Sequence, residues 1–313
     1  MIELVDVATP TPKDNEVLIK IYATTVTAGD WRVRTMDVPR GLGVFARLAL
    51  GMARPRQPIL GAELAGVVEA IGKDVTRYKP GDAVFAFPGG KMGCHAQYRA
   101  VAEDAPVARK PENLSFEEAA SLSFGGSTAL HYLRKANIEA GDKILVIGAS
   151  GGVGSALVQL AKHFGAEVTG VTRTANLDLV TSLGADRVID YSKEDVLTRG
   201  QAYDVIADTV GDTPFARFKP ALADKGRLLA IAGGVPEMLA AAIAPLTGSK
   251  RVIFGPAEER PEDVRQLADL AQAGVLRPVI DRRYTFAQMA RAHAYVETRR
   301  KRGSVVVSVE HDG

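Results

Sequence analysis

The sequence predicts a mostly β segment followed by a doubly wound, parallel α/β sheet. Three observations carry that prediction. At 313 residues the chain is long for one compact domain. Residues 1–115 consist of short alternating or apolar runs broken by glycine and proline. From about residue 116, strand-like apolar runs alternate with segments of helical period, the pattern of βαβ units.

In the first part, "EVLIKIYATTV", "AELAGVVEAIG", "GDAVFAFPGG" and "HAQYRAVAEDAPVARKP" read as strands with their turns. Between the first two, "GLGVFARLALGMARPRQP" (41–58) spaces its apolar residues as a helix would until prolines stop it. The second part contains a strand at 144–147, apolar throughout and so suited to burial on both faces. Val153, Leu157, Leu160 and Phe164 then recur at helical spacing, and Gly165 ends the helix. "EVTGVT", "RVID", "YDVIADTV", "RLLAIAGG" and "RVIFG" supply the remaining strands of a six-stranded sheet. The tail, "VIDRRYTFAQMARAHAYVETRRKRGSVVVSVE", predicts a helix, a basic turn and a valine-rich strand, and departs from the βαβ rhythm.

Composition narrows the function. Lys+Arg of 39 against Asp+Glu of 37 leaves a net charge of +2, which gives no general affinity for nucleic acid or membrane. The run "RRKRG" at 299–303 is short and isolated and reads as a solvated turn. No stretch approaches the roughly 18 apolar residues of a membrane span. The N-terminus lacks the basic and apolar regions of a signal peptide. Cys94 is the only cysteine, so neither an intrachain disulfide nor a four-cysteine zinc site can form, and a cytoplasmic protein is expected.

The segment 144–154, "ILVIGASGGVG", is the turn from the first strand of the sheet into its helix. Ala149 takes the first place of a G-x-G-x-x-G pattern, Gly151 the second and Gly154 the third. The second glycine admits the pyrophosphate of a dinucleotide, the third lets helix and strand pack closely, and the helix N-terminus attracts phosphate. Ala149, Ser150, Gly151, Gly152, Val153 and Gly154 are therefore the expected phosphate-binding residues of a Rossmann fold. An NAD site places Asp or Glu about twenty residues further on. The corresponding strand here ends in Thr172, Arg173 and Thr174 with no acid, which suits the 2′-phosphate of NADP(H). Val210, Ala232 and Gly233 follow later strands, on the carboxyl edge where such sheets bind ligands.

The set "GAELAGVVEAIG", "YKPGDAVFA", "GGSTALHYL", "IGASGGVGSALVQLAKHFGAEVTG" and "SLGADRVIDY" resembles the medium-chain dehydrogenase/reductase superfamily, and within it the zinc-independent quinone oxidoreductase branch. The resemblance implies a GroES-like β-barrel from 1–115 and 275–313, a Rossmann domain over 116–274, and an active site in the cleft separating them. It also implies a homodimer, and one further strand ahead of the position where this chain starts. Zinc relatives carry cysteine where this chain has Thr27 and histidine where it has Ala62, so a catalytic zinc lacks two of its three ligands. Cys94 and His95 are read as structural. Without a Lewis acid an unactivated alcohol is hard to oxidise, whereas hydride transfer to a quinone or an α,β-unsaturated carbonyl needs little help from side chains.

Related reductases have an Asn-Pro-x-Asp element at "TAGD", which makes Asp30 and Thr27 catalytic candidates; a turn aspartate is the competing reading. Thr128, with Ser127 beside it, sits where the family approaches the nicotinamide. Tyr191 matches a tyrosine near the 2′-phosphate. Trp31 is a candidate wall of the substrate cleft, against a place in the core. Two other functions carry the same motifs: an NADP-dependent alcohol/aldehyde oxidoreductase, and a non-catalytic, crystallin-like NADPH-binding protein.

Overall fold

The structure, a computed structural model, describes residues 2–36, 57–197, 200 and 202–311. The helical spacing noted at 41–58 falls outside the described residues up to position 56. The described chain divides into two units, one of 2–36, 57–127 and 259–311, the other of 128–258.

The first unit is built on a seven-stranded sheet. Its strands are β1 (Glu16–Val26), β2 (Leu64–Ile71), β3 (Ala83–Ala86), β4 (Tyr98–Ala102), β5 (Val107–Arg109), β12 (Ile280–Thr285) and β13 (Ser304–Ser308). They run in the order β12-β13-β1-β2-β3-β5, with β4 also paired to β1. β1 is long enough to serve three partners, all antiparallel: β2 from Val17 to Thr24, β4 along its first half and β13 along its end. Val17, Ile19 and Ile21 alternate inward from it and meet Leu64, Val68, Val84, Val101 and Val107 in one apolar cluster. That alternation is what a sheet with one buried face requires. The valine-rich tail strand pairs with β1, Thr25 opposite Val306, so the C-terminus completes the N-terminal unit.

Three helices matter in this unit. α1 (Ala28–Thr35) follows β1; α2 (Phe116–Ala120) follows β5; and α3 (Ser123–Ala136) begins here and continues into the second unit. The tail adds α8 (Pro261–Gln272) and α9 (Met289–Glu297). β12 had no counterpart among the expected strands. It pairs parallel to β13, and α9 connects the two.

The second unit has the expected six strands, ordered β11-β10-β9-β6-β7-β8. They are β6 (Lys143–Ile147), β7 (Glu167–Thr172), β8 (Arg187–Asp190), β9 (Tyr203–Asp208), β10 (Leu222–Ala230) and β11 (Arg251–Ile253), and every pairing is parallel. The order reverses between β6 and β9, the switch point where doubly wound sheets bind ligands. α4 (Gly152–His163) follows β6 with Leu157 and Leu160 fully buried, and Gly165 ends it at φ +86°. α5 (Leu177–Ser182), α6 (Phe215–Phe218) and α7 (Val235–Thr247) complete the unit. Among the described residues, no helix is long and apolar enough to cross a membrane.

Candidate cofactor and active site

The turn after β6 is shaped by backbone bonds. The amides of Gly148 and Ala149 both donate to the Val171 carbonyl on β7, at 3.1 and 3.0 Å, and Gly151 N donates to Gly148 O at 3.0 Å. Gly148 stands at φ +77°, so the chain makes its tight turn at Gly148, one residue ahead of Ala149. Ala149 is wholly buried, and room for its methyl comes from Gly170, where a side chain would approach the Ala149 Cβ to 3.2 Å.

The glycines then separate by what they face. A Cβ on Gly154 would lie 2.1 Å from Gly148 O, so close packing of strand and helix requires glycine there. A Cβ on Gly151 would meet only Gly148 O at 3.4 Å, an ordinary contact. Among the described residues nothing demands glycine at 151. Gly151 is also the N-cap of α4 and offers no side-chain acceptor to its first amides. The open backbone at Gly151 and the uncapped amides of Gly152, Val153 and Gly154 fit the pyrophosphate of a dinucleotide.

Hydroxyls brace this turn. Ser150 Oγ accepts from Thr172 Oγ1 at 2.9 Å and from Asn176 Nδ2 at 3.0 Å, and all three residues are buried. Asn176 was not among the expected residues. Its signal was tertiary, since only the fold brings it to the turn. Thr172 therefore faces the turn, and Thr174 gives its hydroxyl to Asp190 Oδ2 at 2.5 Å. Asp190 ends β8, directly across from Thr172 in the pairing register. Hydrogen bonds from Ser192 and Thr174 hold its carboxyl down at about 2, so it is ionised at neutral pH. The neighbouring strand β8, not β7 itself, delivers this carboxylate to the end of β7. Its oxygens are engaged by Thr174, Ser192 N and Ser192 Oγ, and Lys193 Nζ lies at 3.8 Å. The Arg173 guanidinium makes no hydrogen bond or ion pair with any described residue, while its carbonyl accepts from Asn176 N at 2.9 Å. Tyr191 is 54% exposed. On the same edge, Asp208 Oδ1 accepts from the amides of Val210 and Gly211 at 2.9 and 3.1 Å, and Ala232 and Gly233 follow β10.

In the first unit, Thr27 and Asp30 form the capping box of α1. Thr27 N and Thr27 Oγ1 donate to Asp30 Oδ2 at 2.8 and 2.6 Å, and Asp30 N donates back to Thr27 Oγ1 at 3.2 Å. The other carboxylate oxygen accepts from Gly61 N at 2.8 Å, and Asp30 is fully buried. Asp30 therefore fixes the Thr27 hydroxyl and the 61–63 strand entry. Trp31, read from the sequence as either a cleft wall or a core residue, packs with Met289, Ala292, Val296, Val305 and Val307. The physical reason is position: it sits on the face of α1 that meets α9 and β13. Ser127 is buried with its hydroxyl unpartnered among the described residues, and Thr128 follows it on α3.

The family descriptions that match are "Alcohol dehydrogenase GroES-like domain" at 13–112 and "Zinc-binding dehydrogenase" at 183–307. The chain is 36% identical over 313 residues to a 2-methylene-furan-3-one reductase of Solanum lycopersicum, covering 96% of this chain and 74% of that protein. The chain belongs to the medium-chain dehydrogenase/reductase superfamily, in its quinone oxidoreductase branch. It is 33% identical to the chloroplastic NADPH-dependent alkenal/one oxidoreductase of Arabidopsis thaliana, over 96% of this chain and 74% of that one. The quinone oxidoreductase structure from Coxiella burnetii superposes with a TM-score of 0.85 at 29% identity, covering 98% of this chain and 95% of the other.

This superfamily works with nicotinamide dinucleotides, and the turn at Gly151 fits NAD(P)H. The zinc named in one family description does not fit the donors present. Thr27 is committed to Asp30, Ala62 has no donor atom, and His95 Nε2 is bonded to Thr25 O at 2.9 Å. Burial also pushes the Cys94 thiol well above its usual range, away from the thiolate a metal binds. Among the described residues no group of three or more His, Cys, Asp and Glu side chains is arranged to hold a metal ion.

Proposed function

We propose that the protein is an NADPH-dependent reductase that delivers hydride to a quinone or an α,β-unsaturated carbonyl. The carrying observation is a dinucleotide turn left open at Gly151, in a chain similar over 96% of its length to an enone reductase. Bound NADPH supplies the hydride itself. The chain's residues bind and orient. The amides of Gly152, Val153 and Gly154 receive the pyrophosphate, with Ala149 and Ser150 holding the turn. Arg173 receives the 2′-phosphate, with the exposed Tyr191 ring beside it. Thr172 and Thr174 contribute by bracing Ser150 and Asp190 rather than by touching phosphate. Val210, Ala232 and Gly233 border the dinucleotide along the carboxyl edge. Thr128 meets the nicotinamide, and the Thr27 hydroxyl, aimed by Asp30, stands on the substrate side. An acceptor that is already electrophilic suits this set, because nothing in it serves as a Lewis acid.

The protein is further proposed to act as a homodimer in a reducing, cytoplasmic setting. Support comes from β11, an edge strand at the end of the sheet, and from Met238, Leu239 and Ile243, which α7 leaves exposed at 41%, 52% and 51%. The single buried cysteine supports the compartment.

Steady-state assays with NADPH and NADH against a panel of quinones and enones test the reading. NADPH is expected to be preferred, and Arg173→Ala to raise its KM about 10-fold or more while that for NADH stays nearly unchanged, since a charge-assisted bond is worth about 1.5–3 kcal/mol. Equal use of both nucleotides by the wild type removes the 2′-phosphate assignment.

A further inference from the structure

The first unit buries an acid that the proposed chemistry does not use. Glu63 immediately precedes β2 and is 1% exposed. A carboxyl group at that depth persists only when its oxygens are satisfied. The Thr25 hydroxyl of β1 bonds one oxygen, and the amide of Phe124 donates to the other at 2.6 Å. The Thr24 hydroxyl holds the Glu63 carbonyl at 2.8 Å. Phe124 lies in the first turn of α3, where amides lack helical partners and an anion is favoured by the helix dipole. The Glu63 carboxyl group therefore joins the barrel sheet to the start of this helix. Along the first two turns of this helix, Ser123 and Ser127 bury hydroxyls that have no partner among the described residues.

We propose that Glu63 is a positioning residue for hydride transfer: clamped between the Thr25 hydroxyl and the Phe124 amide, it sets the first turn of the helix that presents Ser127 and Thr128. The proposal rests on the reading of Thr128 as the residue that meets the nicotinamide.

The clamp changes charge near neutrality. Burial is the largest influence and raises the Glu63 carboxyl to about 7. The bonds from Thr25 and Phe124 pull it down, Asp30 on α1 pushes it up, and Lys301, just before β13, pulls it down. The neighbouring Cys94 thiol stays protonated through its own burial. The ionised carboxylate accepts both hydrogen bonds at once. The protonated acid has a hydrogen on one oxygen and must reverse or loosen one of them, so the helix start is held more firmly above about pH 7.

The test uses the full chain as wild type, Glu63→Gln and Thr25→Val. Glutamine keeps the shape and an acceptor for Phe124 without the charge. Hydrogen-exchange protection of residues 123–128 is measured without added nucleotide from pH 5.5 to 8.5, alongside kcat and the KM for NADPH with an enone. Wild-type protection and kcat are expected to rise together through about pH 7. Glu63→Gln flattens both profiles and lowers kcat several-fold at pH 8, with the KM for NADPH changed less than about twofold. Thr25→Val removes a bond that holds the carboxyl down, and so moves both midpoints to higher pH. Protection and kcat profiles of both variants that superimpose on the wild type overturn the proposal. Should the wild type reduce no acceptor, the reductase reading fails, while the exchange profiles still decide whether Glu63 is the clamp.

Discussion

The phosphate turn shows how differently neighbouring residues of one type are used. Gly148 turns the chain, Gly154 makes room for a backbone oxygen, and no described residue crowds Gly151 so as to require glycine there. Two substitutions separate these roles. Gly154→Ala forces a methyl to within 2.1 Å of Gly148 O. It should cost about 3 kcal/mol or more, seen as a lower melting temperature or lost soluble expression. Gly151→Ala meets only an ordinary contact, so its melting temperature should stay within about 2 °C of wild type while NADPH affinity falls at least about tenfold. Thermal melts and NADPH titration check both; unchanged affinity in Gly151→Ala removes the ligand as the reason for that glycine. The glycine pattern was readable from the residues because spacing alone marks it. Which glycine does what was not, because that depends on Val171 and Gly170 across the sheet. Asp190 and Asn176 escaped for the same reason, being brought to the turn by β8 and the segment after β7 rather than by proximity in the chain.

At the scale of elements, legibility followed periodicity. The buried strands β6, β7 and β9 were evident as short apolar runs, and the helix α4 because its apolar residues repeat at helical period. β12 was not, because "IDRRYT" has no apolar alternation and is recognisable only by its partners. Asp281 in this strand accepts from the Tyr295 hydroxyl at 2.7 Å and from Arg302 N at 2.9 Å, with its carboxyl 6% exposed. Arg282 lies over the Tyr295 ring at 3.8 Å. The basic run expected as a solvated turn is tied down by the same neighbourhood. Arg299 stacks on Trp31 at 4.7 Å, Lys301 Nζ bonds Gly303 O, and Arg302 is held by Asp281. Asp281→Ala orphans a phenol and an amide at once and should destabilise by about 2 kcal/mol, read by thermal or urea unfolding. If Tyr295→Phe in the Asp281→Ala background costs as much as it does alone, the two residues are not coupled.

Across the whole molecule, two buried groups act on stability in opposite directions over the same pH range. Glu63 is raised from 4.5 to about 7, chiefly by burial. Its folded state holds the proton more tightly than the unfolded chain, so its contribution is fully present below pH 4.5 and is lost as pH rises through 7. His293, on α9 and edge-on to His95 at 5.3 Å, is lowered from 6.5 to about 4, first by burial and then by His95. The unfolded chain takes up that proton first, so stability from His293 is present above pH 6.5 and is lost as pH falls toward 4. Each shift corresponds to a free energy on the order of 3 kcal/mol. Between pH 6.5 and 4.5 the two nearly cancel, and the wild type should show a nearly level stability profile there. Single substitutions uncover each slope. Glu63→Gln leaves His293 unopposed, so stability should fall steadily as the solution is acidified from pH 6.5 to 4.5. His293→Phe leaves Glu63 unopposed, so stability should rise over the same acidification. Urea unfolding at half-unit pH intervals measures both slopes, and parallel profiles for the two variants would show that neither group governs the acid response.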